Sequence, residues 1–189
     1  MAFEGYRQKD SIVVVYTGNS KGKTSASLGL MCRALGRGWR VAYIQFVKDW
    51  EVGEHTFIHK IQPVFGDQLY FHKGGKGFFD AGELSAKNVS NKEHQAAAQQ
   101  TFAKALECAT NGKFELVICD EINNAVHDGL LQKSDLETLL SKRTATVSLC
   151  LTGRHFPEEL LHKVDIATNM AKIKHHFDNQ YLAKKGIDY

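Results

Sequence analysis

The segment that decides the fold is Thr17-Gly18-Asn19-Ser20-Lys21-Gly22-Lys23-Thr24. It lies between Ile12–Tyr16, a β-branched run typical of a buried strand, and Ser25–Leu35, whose apolar residues repeat with the period of a helix. Glycines let successive backbone N–H groups turn towards an anion, and the lysine and hydroxyl of Gly22-Lys23-Thr24 suit phosphate oxygens and Mg²⁺. The segment therefore predicts a phosphate-binding loop, although Thr17 stands where the general pattern has its first glycine.

Strand and helix patterns alternate along the rest of the chain. Further strands are predicted at Val41–Val47, Leu69–Phe71, Leu116–Asp120, Thr146–Thr152 and Ile166–Met170. Helices are predicted at Ala96–Ala109, Ile122–Val126, Leu136–Leu140 and Pro157–His162, with capping boxes at Ser90/Glu93 and Ser134/Glu137. Such alternation predicts an α/β fold with a mostly parallel central sheet flanked by helices. The weakly patterned stretch Lys48–Lys76 is expected to be a binding loop outside the core.

Two carboxylates stand at the end of the predicted strand Leu116–Asp120: Asp120 itself and the following Glu121. Ligands of open α/β sheets bind at the carboxyl ends of the strands, so these acids are expected near the phosphate loop. One of them would hold Mg²⁺ directly or through water, with the Thr24 hydroxyl as another ligand. The alternative is that the acids only cap the helix at Ile122–Val126. The presence of a phosphate loop favours the metal role.

Composition and charge narrow the class of protein. The 189 residues, 43% hydrophobic and 24% charged, are expected to form a single domain over 1–189. A formal net charge of +3 without a basic stripe predicts no nucleic-acid partner. The apolar runs are too short for a bilayer and residues 1–10 resemble no secretory signal, so no membrane association is expected. The widely spaced Cys32, Cys108, Cys119 and Cys150 indicate reduced thiols and a cytoplasmic location.

The sequence offers no recognisable structural metal site and no nucleophilic catalytic triad. His55 with His59, and His175 with His176, form close pairs, but neither pair has a third metal ligand at useful spacing. No Ser-His-Asp or Cys-His arrangement can be recognised. From its residues the chain is a P-loop protein that binds a nucleotide with Mg²⁺, and the fate of the nucleotide stays open.

Several further motifs follow the phosphate loop in order. They are Gln45-Phe46-Val47-Lys48, Gly53-Glu54, Asp120-Glu121-Ile122, Leu151-Thr152-Gly153-Arg154, Ile173-Lys174-His175, Phe177-Asp178 and Gly186-Ile187-Asp188-Tyr189. With them the chain resembles the ATP:corrinoid adenosyltransferases of the CobA, CobO or BtuR type. The shortened loop of that family reads TGNxKGKT, which residues 17–24 match with Thr17 included. The resemblance extends from about Ile12 to Tyr189.

The resemblance implies an enzyme that transfers the 5′-deoxyadenosyl group of ATP to a corrinoid, cobalamin or a precursor, reduced to Co(I), with release of triphosphate. It also implies a three-layer RecA-like P-loop fold, Mg²⁺ or Mn²⁺, a homodimer, and an electron-donating flavoprotein as partner. Co(I) itself is the nucleophile in this family. The protein therefore has to orient the reactants, exclude water and stabilise charge on the leaving triphosphate.

The same resemblance implies the roles of individual residues. Lys23 and Glu121 are the catalytic candidates. ATP-binding residues are expected to be Thr17, Gly18, Asn19, Ser20, Lys21, Gly22, Lys23, Thr24 and Ser25. Metal ligands are expected among Thr24, Asp120 and Glu121, and corrinoid contacts at Phe78, Phe79, Asn124 and Arg154.

Two departures from the family pattern keep other functions open. Ser20 stands where glycine is common, and Phe78-Phe79-Asp80 aligns with a Phe-x-Trp stretch but lacks its tryptophan. One alternative is a P-loop ATPase that hydrolyses ATP for regulatory or nucleic-acid-linked work. Another is a corrinoid- or ATP-binding regulator without turnover. The preferred corrinoid is also left open.

Overall fold

The computed structural model describes residues 3–48, 51–77 and 89–189, and its strands form a single sheet. The strands are β1 Val13–Thr17, β2 Val41–Gln45, β3 Leu69–Lys73, β4 Leu116–Asp120, β5 Ser148–Thr152 and β6 Ile166–Asn169. They lie side by side in the order β3-β2-β4-β5-β1-β6, and each neighbouring pair is parallel. The predicted α/β class with a parallel sheet is confirmed.

Helices cover both faces of this sheet. They are α1 Lys23–Leu35, α2 Gly53–Phe65, α3 Asn91–Thr110, α4 Ile122–His127 and α5 Lys133–Lys142. On one face Met31 of α1 and Ile58 of α2 pack with Tyr43, and on the other Phe102 of α3 and Leu139 of α5 pack in a second core. The result is the three-layer arrangement expected of a RecA-like P-loop protein. None of the helices in the described ranges is long and apolar enough to cross a membrane.

The strands β2, β4 and β5 are buried along their whole length, whereas β6 is an exposed edge. A strand that is covered on both faces reads as a continuous apolar run, and this explains why β4 was predicted with its observed bounds. The carboxyl ends of β1, β5 and β4 lie next to one another in the sheet order. Parallel pairing therefore places the loop after β1 and the acids after β4 at one edge.

One prediction for the chain between β2 and β3 is wrong. Much of the expected binding loop Lys48–Lys76 is regular structure, because residues 53–65 form α2 and bury His55 and Ile58. Pro63 within the helix and the many polar residues weakened the apolar period that would have predicted it.

The predicted helix caps have different outcomes. At α3 the capping box is confirmed, since the Ser90 hydroxyl accepts from the Glu93 N–H and the Glu93 carboxylate accepts from the Ser90 N–H. At α5 the capping box is formed by Gln132 and Asp135, two residues before the predicted pair. There the Asp135 carboxylate accepts from the Gln132 N–H at 2.8 Å, and the Asp135 N–H donates to the Gln132 backbone carbonyl at 2.9 Å.

Candidate active site

The phosphate loop joins β1 to α1 and depends on glycine at both of its ends. Gly18 and Gly22 have φ angles of 103° and 105°, in the left-handed region that favours glycine. A Cβ atom on Gly18 would lie 2.6 Å from the carbonyl oxygen and 2.7 Å from the nitrogen of Met170. Gly18 is therefore required both by its backbone conformation and by the close approach of the chain at Met170.

Side-chain and backbone contacts anchor this loop to neighbouring segments. The Thr17 hydroxyl, at the position of the usual first glycine, accepts a hydrogen bond from the Phe156 N–H at 3.3 Å. The Ser20 N–H donates to the Met170 carbonyl at 3.0 Å. The remaining predicted ATP-binding side chains at Asn19, Lys21 and Ser25 are exposed. The chain after β6 thus forms one wall of the loop.

Lys23, the first residue of α1, turns its side chain back into the loop. Its ammonium donates to the carbonyl oxygens of Gly18 at 2.8 Å and of Ser20 at 2.6 Å. Its side chain is buried. Burial lowers the pKa of the Lys23 ammonium, while the carboxylates of Glu121 and Asp120 act in the opposite direction. The cation is therefore held in the centre of the loop.

Asp120 ends β4 and is fully buried. Its carboxylate accepts hydrogen bonds from the hydroxyl of Thr24 at 3.2 Å, the amide of Gln45 at 2.9 Å and the hydroxyl of Thr152 at 2.7 Å. Thr24 and Asp120 are 96 positions apart in the chain, and the sheet brings these two predicted metal ligands together. The arrangement orients a carboxylate beside the phosphate loop.

Glu121 begins α4 in a left-handed conformation, with φ of 64°. Glu121 is the N-cap residue of α4, but its side chain makes no capping hydrogen bond to that helix. Burial and the neighbouring Asp120 raise the pKa of the Glu121 carboxyl, and Lys48 and Lys23 partly oppose this. The surroundings of Glu121 therefore favour its protonated form, and the nearby cations offset this only in part.

Asn124 and Arg154, two of the predicted corrinoid contacts, lie beside Glu121. The Asn124 side chain donates to the Glu121 carboxylate and accepts from the Arg154 N–H at 2.6 Å. Gly153 approaches so closely that a Cβ there would lie 2.9 Å from the Asn124 nitrogen. The other two predicted contacts, Phe78 and Phe79, lie outside the described residues.

Two buried residues that are not among the predicted site residues, Gln45 and His55, hold the Asp120 carboxylate in place through hydrogen bonds. The Gln45 amide that donates to Asp120 is itself in contact, through Oε1, with Nε2 of His55. Both side chains are fully buried, and burial lowers the pKa of His55. Because Gln45 Oε1 can only accept, His55 has to donate to it through Nε2–H, and this contact keeps the Gln45 NH₂ group directed at Asp120. In the sequence, the signal for Gln45 is a polar residue at the end of the otherwise apolar strand β2.

Lys48 and Glu54 form an ion pair near the acids. Their side chains are 3.0 Å apart and mostly buried. Burial disfavours the charged form of Lys48, yet the carboxylates of Asp120 and Glu54 raise its pKa overall. The quoted motifs at 45–48 and 53–54 therefore meet in space, with a cation facing the two acids.

The oxygen ligands present suit a divalent ion shared with a substrate. Among the described residues, no three histidine, cysteine or carboxylate side chains are grouped as ligands of a metal ion. Mg²⁺ is commonly held by one or two carboxylates together with substrate phosphates and water. Thr24, Asp120 and Glu121 supply that kind of incomplete set, so they fit Mg²⁺ that arrives with a nucleotide.

We expect Glu121→Gln to weaken activation by Mg²⁺ by about 10- to 100-fold, since the amide keeps the shape but not the charge. The raised pKa means that the folded protein holds a proton at Glu121 more readily than the unfolded chain does. Charging Glu121 therefore costs stability above the ordinary glutamate pKa, and the glutamine variant should melt no lower than wild type at neutral pH without metal.

The matched comparison is Asp120→Asn, measured by Mg²⁺ titration and thermal melting. Here the amide nitrogen would face donors from Thr24, Gln45 or Thr152, so the melting temperature should fall as well. The pair of variants tests Glu121 as the closer metal ligand of the two acids. A greater loss of Mg²⁺ activation in Asp120→Asn than in Glu121→Gln would contradict that role.

Comparison with known proteins relates this site to one family. Residues 9–189 match the family model described as ATP:corrinoid adenosyltransferase BtuR/CobO/CobP. The chain is 28% identical over 184 residues to the corrinoid adenosyltransferase of Pseudomonas aeruginosa, covering 97% of this chain and 86% of that protein. It is 30% identical over 180 residues to the corresponding protein of Sinorhizobium, with coverage of 94% and 80%. With the Escherichia coli K12 protein the identity is 29% over 182 residues, with coverage of 94% and 85%.

Proposed function

Because the chain belongs to the ATP:corrinoid adenosyltransferase family, we propose that its loop at residues 17–25 binds ATP and presents the 5′ carbon to a reduced corrinoid. The chain is a transferase of this kind, as the names of its relatives indicate. The observation that carries the site assignment is the 3.2 Å hydrogen bond from Thr24 in the phosphate loop to the buried Asp120.

In this reaction no side chain of the protein has to form a covalent bond. The electron pair of Co(I) forms the bond to C5′ of ATP, the C5′–O bond breaks, and triphosphate leaves with that electron pair. The lack of a serine or cysteine nucleophile in the sequence motifs agrees with this step. The task of the chain is to align the two substrates and to stabilise the charge that grows on the triphosphate.

Lys23 and the loop amides are placed for that stabilisation. The ammonium already lies within the loop, on the carbonyls of Gly18 and Ser20, and a short side-chain movement would carry it to a phosphate oxygen. Thr24 with Asp120 or Glu121 would hold Mg²⁺, which supplies neutralising charge to the triphosphate when bound. Lys48 contributes further positive potential near the same acids.

The corrinoid is proposed to lie beside Asn124 and Arg154, with Phe78 and Phe79 as further contacts. Asn124 donates to Glu121 and accepts from the Arg154 backbone N–H, and this chain of contacts supports a corrinoid site next to the metal ligands. We also propose that residues 1–189 act as one domain, as a homodimer, with an electron-donating flavoprotein that supplies Co(I). The four free cysteines support a cytoplasmic location for this enzyme.

The direct test mixes the protein with MgATP and chemically reduced cobalamin and looks for a light-sensitive adenosylated product. Appearance of that product, dependent on protein and ATP together, is the expected result. A complete lack of product with cobalamin and with precursor corrinoids would overturn the proposal.

The identity of the released product separates this enzyme from a hydrolytic P-loop ATPase. We expect intact triphosphate in a one-to-one ratio with adenosylated corrinoid, because attack at C5′ leaves the bonds between phosphates untouched. Without corrinoid we expect no turnover of ATP. Phosphorus NMR or ion chromatography measures both quantities. Steady release of orthophosphate and ADP without corrinoid, especially with stimulation by DNA, would contradict the assignment.

A further inference from the structure

The segment after β6 runs back along the phosphate loop. The Met170 N–H donates to the Thr17 carbonyl at 2.8 Å, and the Met170 carbonyl accepts from the Ser20 N–H at 3.0 Å. These two bonds hold the middle of the loop but leave its outer side, at Lys21, with an exposed side chain. The glycines Gly18 and Gly22 on either side, both with positive φ, give this part of the loop unusual backbone freedom.

The same segment returns to the loop at Asp188. One oxygen of the Asp188 carboxylate lies 3.1 Å from the Lys21 ammonium, and the other accepts the Lys184 N–H at 2.7 Å. His176 is 3.6 Å from that second oxygen. The Asp188 side chain is only 5% exposed, although most of the surrounding segment lies at the surface. Burial of a carboxylate with all of its partners identified indicates a built contact.

A tight turn holds Asp188 in this position. The Asp188 N–H donates to the Lys184 carbonyl at 2.8 Å, and Gly186, with φ of 84°, allows the chain to reverse between them. Beyond it, the Tyr189 backbone lies near Gly53, where a Cβ would be 3.7 Å away. The turn is thus placed between the phosphate loop and the beginning of α2.

We propose that Asp188 is a positioning residue for ATP binding: through Lys21 it holds the outer side of the phosphate loop in the conformation that receives the triphosphate. This inference rests on the proposed function of the loop as the ATP site. Fixing the loop before the ligand arrives removes an ordering cost that would otherwise weaken ATP binding. Because the Lys21 side chain is more than half exposed, the ion pair itself adds little to the stability of the fold.

Two physical models predict opposite effects for Asp188→Asn. If charge alone mattered, removal of a carboxylate near the triphosphate would strengthen ATP binding. If Asp188 positions the loop, its removal should weaken binding of MgATP by about fivefold, with kcat changed much less than KM. The melting temperature should stay close to that of wild type.

The experiment is isothermal titration calorimetry of MgATP with the full chain and four variants. Asp188→Asn and Lys21→Met should each weaken binding by about fivefold, and the double variant should be no weaker than Lys21→Met alone. Asp188→Glu, which keeps the charge, should recover part of the loss. The matched control Glu159→Gln removes an exposed carboxylate from its 2.8 Å pair with Lys133 and should bind like wild type.

The outcomes distinguish this inference from the proposed function. If wild type binds MgATP and Asp188→Asn binds equally well or more tightly, the positioning role is wrong while the ATP site stands. Equal losses from Asp188→Asn in the wild-type and Lys21→Met backgrounds would also overturn it, because Asp188 would then act through other contacts. If wild type binds no MgATP, the ATP site and this role fail together. Should Asp188→Asn unfold, Asp188→Glu decides: a partial loss of MgATP affinity is expected, and binding equal to or tighter than that of wild type would overturn the positioning role.

Discussion

Lys23→Ala should lower kcat/KM for ATP by a factor of about 10²–10³, because it removes a charge-assisted contact to the leaving triphosphate where water is excluded. The lysine is buried in the loop, and its ammonium satisfies the carbonyls of Gly18 and Ser20. Loss of these two bonds should also cost about 1–2 kcal/mol of folding stability. Steady-state kinetics with chemically reduced corrinoid and thermal melting measure the two effects.

Two controls separate the catalytic effect from the structural one. Lys23→Met keeps most of the side-chain length and should lose activity to a similar degree with a smaller loss of stability. Lys172→Ala removes an exposed ion pair with Asp178, 2.8 Å long, and should leave both quantities unchanged. Near-wild-type turnover in Lys23→Ala would contradict the assignment of residues 17–24 as the ATP site.

Gly18→Ala should reduce both activity and stability, as Lys23→Ala does, but for a steric reason. The added Cβ would lie 2.6 Å and 2.7 Å from backbone atoms of Met170, so the loop or the chain after β6 has to move. A displacement of about 1 Å at a site that aligns two substrates costs about 10² in rate. Overpacking together with the positive φ should reduce stability by about 1–3 kcal/mol. Steady-state kinetics together with calorimetry of MgATP binding report the functional loss, and denaturant unfolding reports the loss of stability.

Gly38→Ala is the matched control for this prediction. Gly38 also has a positive φ, 75°, but a Cβ there would meet nothing within 4 Å. Its cost should therefore be the backbone strain alone, about 1 kcal/mol, with normal ATP binding. If Gly18→Ala binds ATP as well as Gly38→Ala does, the close approach at Met170 has no role in shaping the loop.

Much of the fold was predictable because its signals are local. The strand Leu116–Asp120 has the predicted bounds, and the Ser90/Glu93 capping box precedes α3 as expected. Each depends on residues within a few positions of one another, where side-chain type controls backbone conformation directly. The helix over 53–65 is missed for the same reason. Pro63 and the polar residues obscure its local apolar period, and the burial of His55 and Ile58 comes from tertiary packing.

Local sequence patterns predict the phosphate loop, the acids that follow a buried strand and the parallel α/β class, and the ordered motifs predict the family. Which distant side chains meet at this loop depends instead on tertiary packing. Gln45 and Thr152 both reach Asp120, from strands on either side of β4, and Asp188 reaches Lys21 from the far end of the described chain. The physical reason is that these contacts depend on the order of strands in the sheet and on the path of the chain after β6. Local patterns of polarity and propensity do not encode that order, because the same alternation of strands and helices is compatible with several arrangements of a parallel sheet.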